Sequence, residues 1–264
     1  MTRRTILLTG AAGRIGRVIT PALAGRYALS LTDAQPPPDT RGLPFTQADL
    51  GDRGQVGALC RGVDTVVHLA ASSDLTSAWE PILENNIIGF YNLFEAASES
   101  GCRRVVFASS IHVVDGLSST SPVGTDAPAR PRTLYGASKA WGEALASVYA
   151  LRGSLSAICL RLGWVMAGDD PLIQLDNERL DIVLTHADLV ELFAGAIEAR
   201  DELRFGIYYG LSNNRPNRYD LDETRHRLGY NPRDDAFAIA RAREPKGLRG
   251  WVRGARRLVR RWSS

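Results

Sequence analysis

With 264 residues, 44% of them hydrophobic and 23% charged, the chain has the proportions of an ordinary globular protein, long enough for one α/β domain with an appended lobe. No apolar run approaches the roughly 18 residues that a membrane-spanning helix needs, and Met1-Thr2-Arg3-Arg4 leads straight into Thr5-Ile6-Leu7-Leu8-Thr9, too short for a signal peptide's apolar region. The net charge of +3 is uneven: nine Lys+Arg against one acid, Glu244, give Arg241 to Ser264 a charge of +8 and leave the body at −5, which speaks against a nucleic-acid-binding domain.

Along the chain, short apolar runs at Ile6 to Leu8, Ala28 to Leu31, Thr65 to Leu69, Val105 to Ala108 and Ser156 to Leu160 read as strands buried on both faces. Helical stretches lie between them, at Arg14 to Ala24, Glu80 to Ser100 and Leu134 to Leu151. This alternation predicts an α/β fold with a doubly wound parallel sheet. Pro36-Pro37-Pro38 forbids helix and central strand and marks a surface loop. Beyond Arg161 the pattern loosens into a loop over Ala167 to Asn177, a helix over His186 to Arg200 and a strand over Phe205 to Tyr209. A last helix, Asp220 to Leu228, is closed by Gly229 and followed by Pro232. The three cysteines, Cys60, Cys102 and Cys159, are odd in number and lack metal-ligand spacing; reduced, buried thiols in a cytoplasmic protein are expected, and no metal site.

Strand, glycine loop and helix follow one another at residues 5–24, with the loop reading Gly10-Ala11-Ala12-Gly13-Arg14-Ile15-Gly16. Gly10 permits the tight turn, Gly13 lets backbone approach a pyrophosphate, and Gly16 lets helix and strand pack closely. The helix amino terminus offers unpaired N–H groups and a partial positive charge to phosphates. Asp33 follows the second strand; a carboxylate there accepts from ribose hydroxyls and repels a 2′-phosphate, which favours NAD over NADP. Arg14 is the counter-evidence, since a loop arginine could pair with that phosphate. Asp49-Leu50 reads either as an adenine contact or, for Asp49, as a helix cap.

Ser110 lies at the carboxyl end of the strand Val105 to Ala108, where sites in open α/β sheets form. Tyr135 opens a helix 25 residues later, and Lys139 falls one turn on along the same face. A phenol that ordinarily titrates near 10 is a poor base at neutral pH, so a neighbouring cation, Lys139, is expected to lower it. The Ser110 hydroxyl can position the reacting oxygen for proton transfer.

Gly10/Gly13/Gly16, Ser110 and Tyr135/Lys139 together resemble the short-chain dehydrogenase/reductase superfamily, and Leu228-Gly229-Tyr230-Asn231-Pro232 resembles the closing signature of its extended, nucleotide-sugar-modifying branch. Within that branch Asn86 to Leu93, Val106 to His112 and Leu134 to Lys139 look most like bacterial uronate dehydrogenases. The resemblance implies a Rossmann fold with a small C-terminal substrate-binding lobe. An NAD-binding domain would span residues 1–165, the lobe 166–240, interleaved with the first, and a tail 241–264. It implies oxidation at C1 of a hexuronic acid or related sugar to a lactone. Tyr135 would be the base, Asn86 would support a proton relay, and Ser73, Ser110 and His112 would line the sugar pocket. Ile15, Leu69, Ala70, Ala71 and Leu162 would join the loop glycines, Tyr135 and Lys139 around the cofactor. Three residues depart from the family pattern. Ile111 stands where an asparagine is usual, and Trp164 replaces a small serine. Arg179 is near the place of the carboxylate-binding arginine, but one position off when Leu180 to Thr185 are aligned.

Two other readings stay open: a nucleotide-sugar epimerase or dehydratase that returns the hydride within one turnover, and a dinucleotide-sensing protein without catalysis. The resemblance implies a homo-oligomer formed through the helices at Glu80 to Ser100 and Leu134 to Leu151. In the tail, Leu248, Trp251, Val252, Ala255, Leu258, Val259 and Trp262 recur at helical spacing among arginines. Such a helix could dock on the body or a second subunit, lie on an anionic membrane surface, or meet an acidic partner.

Overall fold

Alternation along the first strand, β1 (Thr5–Thr9), sends Ile6 and Leu8 to one face of a sheet and Leu7 to the other, and both faces are covered. The structure, a computed structural model, describes residues 3–117, 122–153, 155–174 and 177–243; the tail expected over 241–264 lies outside the described residues from 244 onward. The other strands are β2 (Ala28–Asp33), β3 (Phe45–Gln47), β4 (Thr65–His68), β5 (Arg104–Ser110), β6 (Ser156–Leu162), β7 (Trp164–Met166), β8 (Val183–Thr185) and β9 (Phe205–Gly210). Seven form a parallel sheet in the order β3-β2-β1-β4-β5-β6-β9, while β7 and β8 pair separately. The winding reverses direction at β1 and β4, so the loops after these strands part and open a crevice.

The helices are α1 (Arg14–Arg26), α2 (Arg53–Cys60), α3 (Trp79–Ile82), α4 (Gly89–Glu99), α5 (Leu134–Arg152), α6 (His186–Glu198), α7 (Asp222–Leu228) and α8 (Ala236–Arg243). Ile19 and Leu23 of α1 and Leu189, Leu192 and Phe193 of α6 pack on the Ile6/Leu8 face. Val56 and Cys60 of α2, Phe90, Leu93 and Phe94 of α4, and Ala146 and Ala150 of α5 pack on the Leu7 face. A smaller cluster joins Met166, Leu180 and Val183 to Ala236 and Ala240 of α8. Arg104 is fully buried and ties β5 to α6, donating to the carbonyls of Ala196 in the last helical turn and of Ala199 and Arg200 just beyond it. Burial lowers its guanidinium to about 10.

The stretch expected as one helix over Glu80 to Ser100 is instead α3, a π-helical turn at Leu83–Ile88, and α4. The wider turn carries the buried Asn86 inward, a use to which π-bulges are commonly put. The expected elements omitted α2, α8, β7 and β8, since periods over three to eight residues leave too few repeats to detect. Among the described residues no helix is long and apolar enough to cross a membrane, and no cluster of His, Cys, Asp or Glu could hold a metal. All three cysteines are free and buried.

Candidate active site

A cavity of about 1090 Å³ runs along the carboxyl ends of the sheet from β2 to β6. One end is built by the glycine loop. Gly10 has φ +71°, and a Cβ there would stand 2.6 Å from Ala70 N, so the loop presses against the chain leaving β4. A Cβ at Gly16 would stand 2.4 Å from Gly10 O, which is why α1 can start so close beneath the loop. Gly13 caps α1 without a side-chain hydrogen bond, and no acid occupies the first turn. The N–H groups of that turn are therefore unclaimed by any cap and border the cavity with Gly13, Arg14, Ile15 and Gly16, a fit for a pyrophosphate.

Asp33 ends β2 and braces the loop, its Oδ2 accepting from Ala12 N at 2.9 Å while the residue lines the cavity. Asp49 and Leu50 line the same end. The cap of α2 is Asp52, which accepts from the N–H groups of Gly54 and Gln55, so the alternative reading of Asp49 as a cap is not what the chain adopts. Asp49 instead takes the N–H of Gly51 at 2.8 Å. Leu69, Ala70, Ala71 and Leu162 also border the cavity. This donor-rich, acid-flanked cleft suits a dinucleotide.

At the middle of the cavity three elements converge. Ser110 is the last residue of β5, and its Oγ accepts from His112 N at 3.2 Å. Thr133 caps α5, accepting from Gly136 N at 3.0 Å. A Cβ at Gly136 would stand 2.3 Å from His112 O, so the start of α5 is pressed onto the turn after β5. That close approach sets Tyr135 next to Ser110 in the cavity lining, near enough for the hydroxyl to act on the phenol. Lys139 is buried one turn on, its Nζ 4.7 Å from the centre of the Phe107 ring and 5.6 Å from that of Tyr135.

The electrostatics differ from the expectation. Burial pushes the Tyr135 phenol up, with the Ser110 hydrogen bond and then the Arg14 charge pulling it down. Burial likewise lowers the Lys139 ammonium to about 7, opposed by Glu143. Lys139 therefore does not acidify Tyr135 in this state, because desolvation disfavours the charged form of each. Below them lies a buried network absent from the sequence reading. Glu143 accepts two bonds from Arg161, each 2.9 Å, and one from Ser109 at 2.6 Å. Asn86 stands outside the cavity lining. It takes the N–H of Ser72 at 2.7 Å and donates to Ser72 O and Ser138 Oγ, tying the chain after β4 to α5.

Ser73, Ile111, His112, Trp164 and Arg179 all line the far end. His112 Nδ1 is 2.7 Å from Asp115 Oδ2, and the Arg179 guanidinium lies 5.8 Å from the centre of the Trp164 ring. Asp115, Arg132, Arg218 and Tyr219 join them although the sequence reading omitted all four. They come from loops without a motif, and only the fold brings them together.

Residues 6–187 match the profile of the NAD dependent epimerase/dehydratase family. The chain belongs to this family. Its members here are of the extended short-chain dehydrogenase/reductase type that the motifs suggested. The chain is 33% identical to an L-arabinose 1-dehydrogenase (NAD(P)(+)) of Haloferax volcanii, over 89% of this chain and 98% of the relative. It is 37% identical to a uronate dehydrogenase of Agrobacterium fabrum, over 90% and 88% of the two chains. The crystal structure of uronate dehydrogenase from Agrobacterium tumefaciens, a tyrosine-to-alanine mutant complexed with NAD, superposes with a TM-score of 0.81 at 35% identity, covering 90% of this chain and 88% of that one.

Proposed function

We propose that this family member oxidises the anomeric carbon of a hexuronic acid or related sugar to a lactone, with NAD as hydride acceptor. The observation that carries the reading is the meeting of Ser110, Tyr135 and Lys139 in the cavity whose other end is the glycine loop. The names of the uronate and arabinose dehydrogenases support the substrate class. Gly10, Gly13 and the first turn of α1 would hold the pyrophosphate, Asp33 a ribose, and Asp49 and Leu50 the adenine. Bound NAD would supply the hydride acceptor.

Tyr135 takes the proton of the C1 hydroxyl while Ser110 holds that oxygen. Burial disfavours phenolate and ammonium separately, so a substrate that brings the two charges together would favour them as a pair. Asn86, through Ser138 and the Ser72 backbone, fixes the walls of the site; this is its support for proton transfer. Ser73, His112 and Trp164 border the sugar, and Arg179 the group remote from C1.

Ile88 and Tyr91, and Val148 and Leu151 of α5, are exposed apolar residues on the two helical stretches that the resemblance assigns to self-association, and a second copy is the occupant proposed for them. Free, buried cysteines support a cytoplasmic setting. The test is NADH fluorescence with uronates and aldoses. Net NADH is expected, and Tyr135→Phe should lower kcat by about 10²–10⁴-fold, the range of general base catalysis, without loss of NADH binding. Parent-like turnover by that variant refutes the reading.

A further inference from the structure

C1 oxidation as proposed above uses Tyr135 as its base and leaves a second acid–base pair in the same cavity without a task. His112 Nδ1 stands 2.7 Å from Asp115 Oδ2, and Asp115 Oδ1 accepts from the backbone N–H of Arg132 at 3.1 Å. Both carboxylate oxygens are thus committed, and the loop that carries Arg132 holds the carboxylate in place. An ionised carboxylate only accepts, so Nδ1 carries the ring proton and Nε2 the lone pair. Among the described residues Nε2 has no hydrogen-bond partner and is not sealed in protein, while His112 and Asp115 both line the cavity. An imidazole held at one nitrogen by a carboxylate and open at the other is the arrangement of a general base.

The place of this dyad beside the reacting groups is the second observation. Ser110 Oγ accepts from His112 N at 3.2 Å, so the serine's own proton stays free to be donated. The His112 ring stands edge-on to the Tyr135 ring, with 6.1 Å between centres. The packing of Gly136 on His112 O ties the two segments together. Once Tyr135 has taken the C1 proton it is a neutral phenol, the form that its burial favours. Two hydroxyl donors, Ser110 and Tyr135, would then face the C1 carbonyl oxygen of the lactone. Such a pair can serve as an oxyanion hole, and here it adjoins an imidazole base.

Resting on C1 oxidation as proposed above, we infer that the same site also hydrolyses the lactone it makes. His112 Nε2 takes a proton from water while the water oxygen bonds to C1. Ser110 and Tyr135 hold the tetrahedral oxyanion. On its collapse the bond between C1 and the ring oxygen breaks, and that oxygen receives the proton from His112. The product is the open-chain acid, which loses its carboxyl proton to solvent, and the dyad returns to its first state. No electrons change hands in this step, and water is the one co-reactant. His112 is the catalytic residue and Asp115 the positioning residue that sets its tautomer. Hydrolysis removes the carbonyl to which NADH could return its hydride, so it draws the oxidation forward.

The experiment counts protons released per NADH formed from glucuronate and from L-arabinose, and separately follows D-glucono-1,5-lactone added to the NADH complex in a pH-stat. Oxidation to the lactone releases one proton and hydrolysis a second, so the parent should approach two per NADH from the first turnovers. Asp115→Asn keeps an acceptor for Arg132 N but turns an amide N–H toward Nδ1, which moves the ring proton to Nε2. Its ratio should start near one and rise only as fast as the lactone decays in buffer. A merely structural role for Asp115 would lower both steps together and leave the ratio at two. The parent should speed the decay of added lactone by about 10²–10⁴-fold, the range of general base catalysis. Asp115→Asn and His112→Gln should each lose about tenfold or more of that. A parent ratio near one, with added lactone decaying as in buffer, overturns the inference and leaves C1 oxidation standing. Ratios of two in both variants also overturn it. Faster lactone decay without NADH from either sugar would keep the dyad as a base and refute the oxidation alone, and failure of both assays removes the two together.

Discussion

Replacing Lys139 with methionine should stabilise the fold while abolishing activity. The lysine is 3% exposed, and burial takes its ammonium from 10.5 to about 7. Between those values the unfolded chain binds a proton that the folded chain does not, so stability rises with pH across that window. By that linkage the buried ammonium costs about 4 kcal/mol at pH 7 and about 1 kcal/mol at pH 9.5. Methionine fills similar space on α5 and carries no charge. Its contact with the Phe107 ring replaces a cation–π contact worth about 1–2 kcal/mol, which lowers the gain at pH 7 without reversing it. The pH dependence is therefore the diagnostic quantity. Urea unfolding of parent and Lys139→Met at the two pH values should show the variant more stable at pH 7, with an advantage that shrinks at pH 9.5. A variant no more stable than the parent at pH 7, or equally advantaged at both, refutes the reasoning.

Glu143→Gln should lose about 3 kcal/mol in urea unfolding, because Arg161 is left as a buried cation without its bidentate partner. The same variant removes the charge that holds Lys139 up, so the alkaline limb of its kcat/KM profile should move to lower pH; an unmoved limb would separate Glu143 from catalysis. Gly16→Ala forces a Cβ against three backbone atoms within 2.8 Å and should cost about 1–3 kcal/mol, the range for overpacking, together with NADH affinity measured by fluorescence titration. Parent-like NADH binding would show that the loop tolerates displacement. Asp33→Asn keeps an acceptor for Ala12 N but drops the charge, so the NAD:NADP ratio of kcat/KM should fall by about tenfold or more as a like-charge repulsion is removed. A ratio that does not change would assign cofactor choice to another residue, with Arg14 first in line.

The cofactor end was legible because each of its requirements is local. A turn at positive φ, a capless helix start and a strand-ending carboxylate are set by neighbouring residues, so spacing alone reports them. Tyr135 and Lys139 were legible for the same reason, one helical turn on one helix. Their ionisation was not. The expectation that Lys139 acidifies Tyr135 treats two charges in isolation, whereas desolvation depends on how deeply the β5 turn and α5 bury them, which spacing does not record. The π-turn was hidden because its extra residue leaves the apolar pattern of Glu80 to Ser100 nearly intact.

The far end of the cavity was illegible for a stronger reason. Arg132, Arg179, Arg218 and Tyr219 span 88 residues of sequence and are set by hydrogen bonds to Asp115 and Asp181 and by ring contacts with Trp164 and Tyr209, each from another segment. None of these pairs has a spacing that a secondary-structure period would impose. On the proposed reading the chemistry of C1 rests on α5 and the glycine loop, whereas the residues at the far end of the cavity are placed by loop contacts that only folding assembles. A relative can keep the first unchanged and alter the second, so names carried by relatives bear on the reaction more firmly than on the substrate.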